Sequence, residues 1–149
     1  MLNLSKDAKL VRHSAAVAAG ATAITPSAGV DCKGFDGCLF IAAFGAIVSG
    51  AVTSVKVQQS DDDGVADGFS DLAGTSVTVA DDADGKLVYV DVVRPRKRYL
   101  KMIVSRGTQN ATLDGITAVL YDPKVAPTTH DAATVAGGET HVSPAEGTA

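Results

Sequence analysis

The chain has 149 residues, a length that fits one domain able to bury a core without help from metal or disulfides. Thirteen Lys+Arg against 17 Asp+Glu leave a formal charge of −4, which argues against a general nucleic-acid binder, since such proteins carry a basic excess. Three Tyr, four Phe and no Trp, amid abundant Ala, Val, Gly and Thr, suit a β protein with thin packing layers, or a subunit whose full burial comes from its neighbours.

Residues 1–34 read as an N-terminal arm. Leu2, Leu4, Leu10 and Val11 offer it little apolar surface, and Pro26, Gly29 and Gly34 break any long element. A short helix over residues 6–19 would bury little with its Ala-rich face. Residues 14–23, after Lys6, Lys9 and Arg12, imitate a secretory signal but lack a Leu-rich centre, so secretion is not expected. Cys32 and Cys38 stand too far apart for a redox or zinc pair. Cys38, at the head of an apolar run, is expected as a small buried residue, with a loop disulfide as the alternative.

Residues 35–122 carry strand patterns. The stretch from Phe35 to Val48 is shorter than the ~20 residues of a membrane span and holds Asp36, so it reads as buried strand. Within it, Cys38 to Ile47 is continuously apolar, as in a strand covered on both faces. Gly45 and Gly50 mark a turn. Val52 to Gln59 sets Val55 and Val57 on one face, with Ser54, Lys56 and Gln58 on the other. Asp61-Asp62-Asp63-Gly64 is a turn, and Phe69, Leu72 and Ala73 form a short anchor. Thr75 to Ala80 alternates with Val77 and Val79 inward. Asp81-Asp82-Ala83-Asp84-Gly85 turns again.

Residues 86–106 follow as strand, corner, strand. Arg94, Arg96, Lys97 and Arg98 sit at the corner, where Pro95 cannot donate to a central ladder. Asn110 falls in a loop, and Ile116, Ala118 and Leu120 share one face of a last strand. Short strands separated by Asp/Gly turns predict an all-β fold, an antiparallel β-sandwich or jelly-roll-like single domain with extended N- and C-terminal arms. Residues 123–149, punctuated by Pro123, Pro127 and Pro144, form the C-terminal tail, ordered only by a partner.

Catalytic chemistry is sparse. The Asp clusters lack the register of a helical Ca²⁺ loop and suit turns better, because Asx side chains bond their own backbone. His13, His130 and His141 are scattered, with no metalloprotease helix. No Gly-x-Ser-x-Gly elbow or phosphate-cradling glycine loop is present. Glu139 and Glu146 are the only glutamates, both in the tail, and nothing singles out Asp91 and Asp114 as a glycosidase pair. Asn3 and Asn110 match the glycosylation pattern, which carries no meaning in a chain not expected to be secreted. No enzyme activity, metal or cofactor is expected.

The basic corner admits three uses. Phosphate binding would be salt-dependent, but Tyr89 and Tyr99 are a thin platform for base stacking. In a purely structural role, alternate cations would face solvent while Tyr99, Met102 and Val104 enter the core. The favoured use is an ion-paired protein interface at Arg94, Arg96, Lys97 and Arg98, with Asp-rich turns of a neighbouring copy as natural partners.

The run Val55-Lys56-Val57-Gln58-Gln59-Ser60-Asp61-Asp62, then Phe69-Ser70-Asp71-Leu72-Ala73-Gly74, then residues 90–99 resemble head cement or decoration proteins of tailed bacteriophages. The tail from Thr129 to Thr148 adds to the likeness, which spans about residues 30–149. This resemblance implies a β-sandwich or jelly roll on the capsid exterior, made in the host cytoplasm. It also implies a dimer or trimer that contacts the major capsid protein and copies of itself, without nucleic acid or membrane. A carbohydrate-binding sandwich and a head–tail or tail component are the alternatives.

Overall fold

A computed structural model of the chain describes residues 3–148; Leu2, counted above with the arm, lies outside them. Among the described residues one short helix, α1 (Leu4–Asp7), precedes ten strands. These are β1 (Lys9–Ser14), β2 (Val17–Gly20), β3 (Val30–Asp31), β4 (Phe35–Ile47), β5 (Val52–Ser60), β6 (Ser70–Asp71), β7 (Val77–Val79), β8 (Leu87–Val93), β9 (Tyr99–Gly107) and β10 (Ala111–Pro123).

The strands form two five-stranded antiparallel sheets. The first runs β1-β10-β4-β8, with β2 also on β10; the second runs β3-β9-β5-β6, with β7 also on β5. The fold is an all-β sandwich. Its core follows from the two-residue period of the long strands. Cys38, Phe40, Ala42 and Phe44 of β4 and Ile116, Ala118 and Leu120 of β10 face Val55 and Val57 of β5 and Leu100, Met102 and Val104 of β9, all buried. Each large member contributes on the order of 1.5–3 kcal/mol of apolar burial.

Four sequence expectations change in detail. Residues 9–20 are not helical: they form β1 and β2 along β10, where Lys9, Leu10, Val11 and Arg12 pair with Leu120, Val119, Ala118 and Thr117. A sheet edge offered backbone hydrogen bonds that outweighed the helix preference of the Ala-rich stretch. The sandwich thus takes in part of the segment expected as an arm. Gly45 lies inside β4, and Gly50 (φ 84°) makes the turn alone. On β7 Val79 is buried but Val77 is exposed. On β9 Leu100 joins Met102 and Val104 inside, whereas Tyr99, out of phase, is only half-buried.

Cys32 and Cys38 are both buried and both free. Contact with the Cys32 thiol, then burial, pushes the Cys38 thiol far above its usual range. The tail from Lys124 onward has no strand or helix among the described residues, yet it begins by following β1. Thr128 N–H donates to the Lys6 carbonyl at 2.7 Å, and Leu10 N–H donates to His130 Nδ1 at 3.2 Å.

Candidate interaction site at the basic corner

β8 ends in the first sheet and β9 begins in the second, so residues 94–98 carry the chain from one layer of the sandwich to the other. The turn is sharp. Arg94 takes a left-handed backbone conformation, φ 52°, which costs a non-glycine residue on the order of 1–3 kcal/mol. Its N–H is anchored on the Asp36 carbonyl at 2.7 Å.

The four cations of the corner divide into two kinds. Lys97 donates to Asp67 and lies 3.4 Å from Asp61, tying the corner to the loop after β5. That contact holds Asp67 below the usual carboxylate range and raises Lys97. Arg98 grips Asp31 at the end of β3 and lies over the Tyr99 ring, 5.0 Å from its centroid. Arg94 and Arg96 are exposed and make no side-chain hydrogen bond or ion pair among the described residues. The Asp-rich partners expected from a neighbouring copy are therefore, for Lys97 and Arg98, in the same chain. Asp67 and Asp31 stand 30 and 67 positions away, so sequence spacing gave no sign of them.

An open groove of about 610 Å³ lies at the corner, lined by Arg94, Arg96, Lys97 and Arg98 together with Lys33, Phe35, Asp36 and Lys124. A second hollow, about 260 Å³, shares Lys33, Gly34, Phe35 and Lys124 with it and adds Lys9. Asp36 is the only carboxylate in either lining among the described residues, and its 3.9 Å approach to Lys124 is an exposed pair of little worth. A chain of net charge −4 thus concentrates positive charge in one concavity. Lys9, Lys33 and Lys124 were not singled out from the sequence; the fold brings them to the corner from three separate segments.

The turn carboxylates are occupied by backbone. Asp62 accepts from the N–H groups of Val65 at 3.0 Å, Ala66 at 2.7 Å and Asp67 at 3.1 Å, which lowers its pKa. Asp81 accepts from Gly50 N–H at 2.6 Å and Asp84 from Ile47 N–H at 2.5 Å. Asp91 and Asp114 are not brought together. Asp91 pairs with Leu39, while Asp114 lies opposite the Ala43–Phe44 end of β4, roughly 13–17 Å along the strand at ~3.3 Å per residue. That is wider than two carboxylates flanking one glycosidic bond, ~5–9.5 Å. Asp91 instead accepts the Tyr121 hydroxyl at 2.8 Å. His141 pairs with Glu139 at 2.7 Å on the tail.

No family model matches the chain, and no curated protein matches it. Among solved structures, a protein of Bacillus endospore appendages, described as a novel family of disulfide-linked pili, is similar at a TM-score of 0.42 and 14% identity. The likeness covers 83% of this chain and 96% of that one, and at this level it carries nothing about function.

Proposed function

We propose that the chain is a non-enzymatic structural subunit of a tailed-phage head, binding the outer surface of the capsid and bridging major capsid protein subunits. The division within the basic corner carries this reading. Lys97 and Arg98 brace the corner from within, leaving Arg94 and Arg96 uncompensated beside Lys33 in an open groove. Such a surface takes an acidic protein segment, and the planar Arg forks suit carboxylates. The groove has one aromatic side chain in its lining, Phe35, which makes a poor stacking surface for sugars or bases. The likeness of residues 55–62, 69–74 and 90–99 to cement proteins supplies the capsid as partner. Many modest contacts, repeated by shell symmetry, would clamp adjacent subunits without any reactive group.

The test is reconstitution. Added to expanded capsids that lack it, the protein should bind and raise their disruption temperature. Arg94→Ala with Arg96→Ala should weaken binding, and rising salt should weaken the wild type in the same direction. Capsids that gain no stability from saturating protein would refute the proposal.

A further inference from the structure

Three of the four sheet edges in this sandwich are blunted. β3 spans two residues, and β6 and β7 span two and three. Outside β1 the tail closes the edge through the Thr128 and His130 contacts, with the Thr128 hydroxyl donating to the Ala8 carbonyl at 2.7 Å. Short strands and covering segments are the usual protection of a sheet edge. β8 has neither. It is seven residues long, contains no Pro or Lys, and among the described residues pairs only with β4. Leu87, Tyr89 and Val93 are 65%, 67% and 64% exposed.

The phase of the ladder identifies the open groups. Arg94 N–H bonds the Asp36 carbonyl at 2.7 Å, and Phe44 N–H bonds the Lys86 carbonyl at 3.1 Å. The even-numbered residues of β8 therefore turn their amides toward β4. Leu87, Tyr89, Asp91 and Val93 turn N–H and C=O outward, away from any strand.

We propose that this edge pairs with the same edge of a second copy, antiparallel about a two-fold axis, so that the first sheets of two molecules become continuous. Charge selects both the occupant and the register. Three registers set at least three of the four outward residues opposite one another. An axis at Val90 places Lys86 against the second copy's Arg94, and an axis at Asp91 places two carboxylates together; like charges directly opposite are unfavourable. An axis at Tyr89 avoids both. It sets Tyr89 beside its own counterpart and Leu87 opposite Asp91, and it brings the Arg94 end of one strand toward the turn before the other, which carries the exposed Asp82 and Asp84. The edge is thus complementary to itself in one register. The edge shares Arg94 with the capsid-binding groove, but Lys33 and Arg96 take no part in it and Tyr89 lies outside the groove, so a Tyr89 variant tests the pairing apart from capsid binding.

Sedimentation of the purified full chain across a concentration series should give a monomer–dimer equilibrium. Tyr89→Lys, which places two ammonium groups at the axis, should raise the dimer dissociation constant by ~10-fold or more, and leave the thermal unfolding of the dilute monomer unchanged. Amide exchange on the wild type supplies a readout that needs no variant. The Leu87, Tyr89 and Asp91 amides should exchange fast when dilute and become protected as the dimer forms. A wild type that stays monomeric at every concentration overturns the proposal. So does any stoichiometry other than two, or a dimer in which those amides remain unprotected.

Discussion

Arg98 holds Asp31 through two parallel hydrogen bonds, Nε at 2.9 Å and Nη2 at 2.7 Å, across 67 positions of sequence. The bidentate fork locks the start of β9 to the end of β3 and holds the Asp31 carboxyl below its usual range. Arg98→Lys should lower the melting temperature almost as much as Arg98→Ala, because an ammonium cannot reproduce the fork. Arg94→Ala and Arg96→Ala should each change stability by less than about 0.5 kcal/mol. Thermal melts of the four variants check the contrast.

His13 links the two sheets. Along the open side of β9, Val30 pairs with Leu100 and Ile24 bonds Val104, which leaves the Met102 N–H between them to donate to His13 Nε2 at 3.1 Å. Burial, with the Phe40 ring at 5.3 Å, lowers the imidazole pKa to about 4; the nearby Lys101 charge adds to the shift and Asp63 opposes it. The unfolded chain takes up this proton near pH 6.5, before the folded chain does. The contribution is thus whole above pH 6.5 and disappears as pH falls to about 4, a loss of about 3 kcal/mol. The depressed carboxylates Asp31, Asp67 and Asp71 lose their contribution only below their unfolded value of 3.8, a separate window. Denaturant titrations between pH 7 and 4 should show the His13 slope, and His13→Gln should flatten it.

Arg106 is a buried cation that, among the described residues, is held by backbone carbonyls rather than by a carboxylate. It donates to Thr22 at 2.7 Å, Ala18 at 2.9 Å and Ala111 at 2.7 Å, fastening β2 and the following loop to the sandwich. Arg106→Met should cost about 3 kcal/mol, since it strands those carbonyls. Amide exchange should place the added motion in residues 17–22.

Gly37 on β4 lies directly beneath the Tyr121 ring, which crosses it from β10 to reach Asp91 on β8. A methyl group there would displace the ring and break the hydroxyl bond. Gly37→Ala should therefore destabilise by about 1–3 kcal/mol. Burial and the Asp91 carboxylate raise the phenol pKa to about 12. A spectrophotometric titration of Gly37→Ala should return that phenol toward 10.

The strands of the sandwich were legible because they are written locally. Val55 and Val57, or Ile116, Ala118 and Leu120, declare a buried face by alternation alone, and the Asp/Gly runs declare turns through their own backbone bonds. β1 and β2 were not legible. Their residues make no strand pattern strong enough to stand without β10 beside them. The same holds for the basic corner. Sequence alone determined that four cations gather where one strand ends and the next begins. Only the tertiary structure decided which are spent on the fold and which are left for a partner. Ion pairing depends on distance in space, and the carboxylates that claim Lys97 and Arg98 arrive from 30 and 67 positions away.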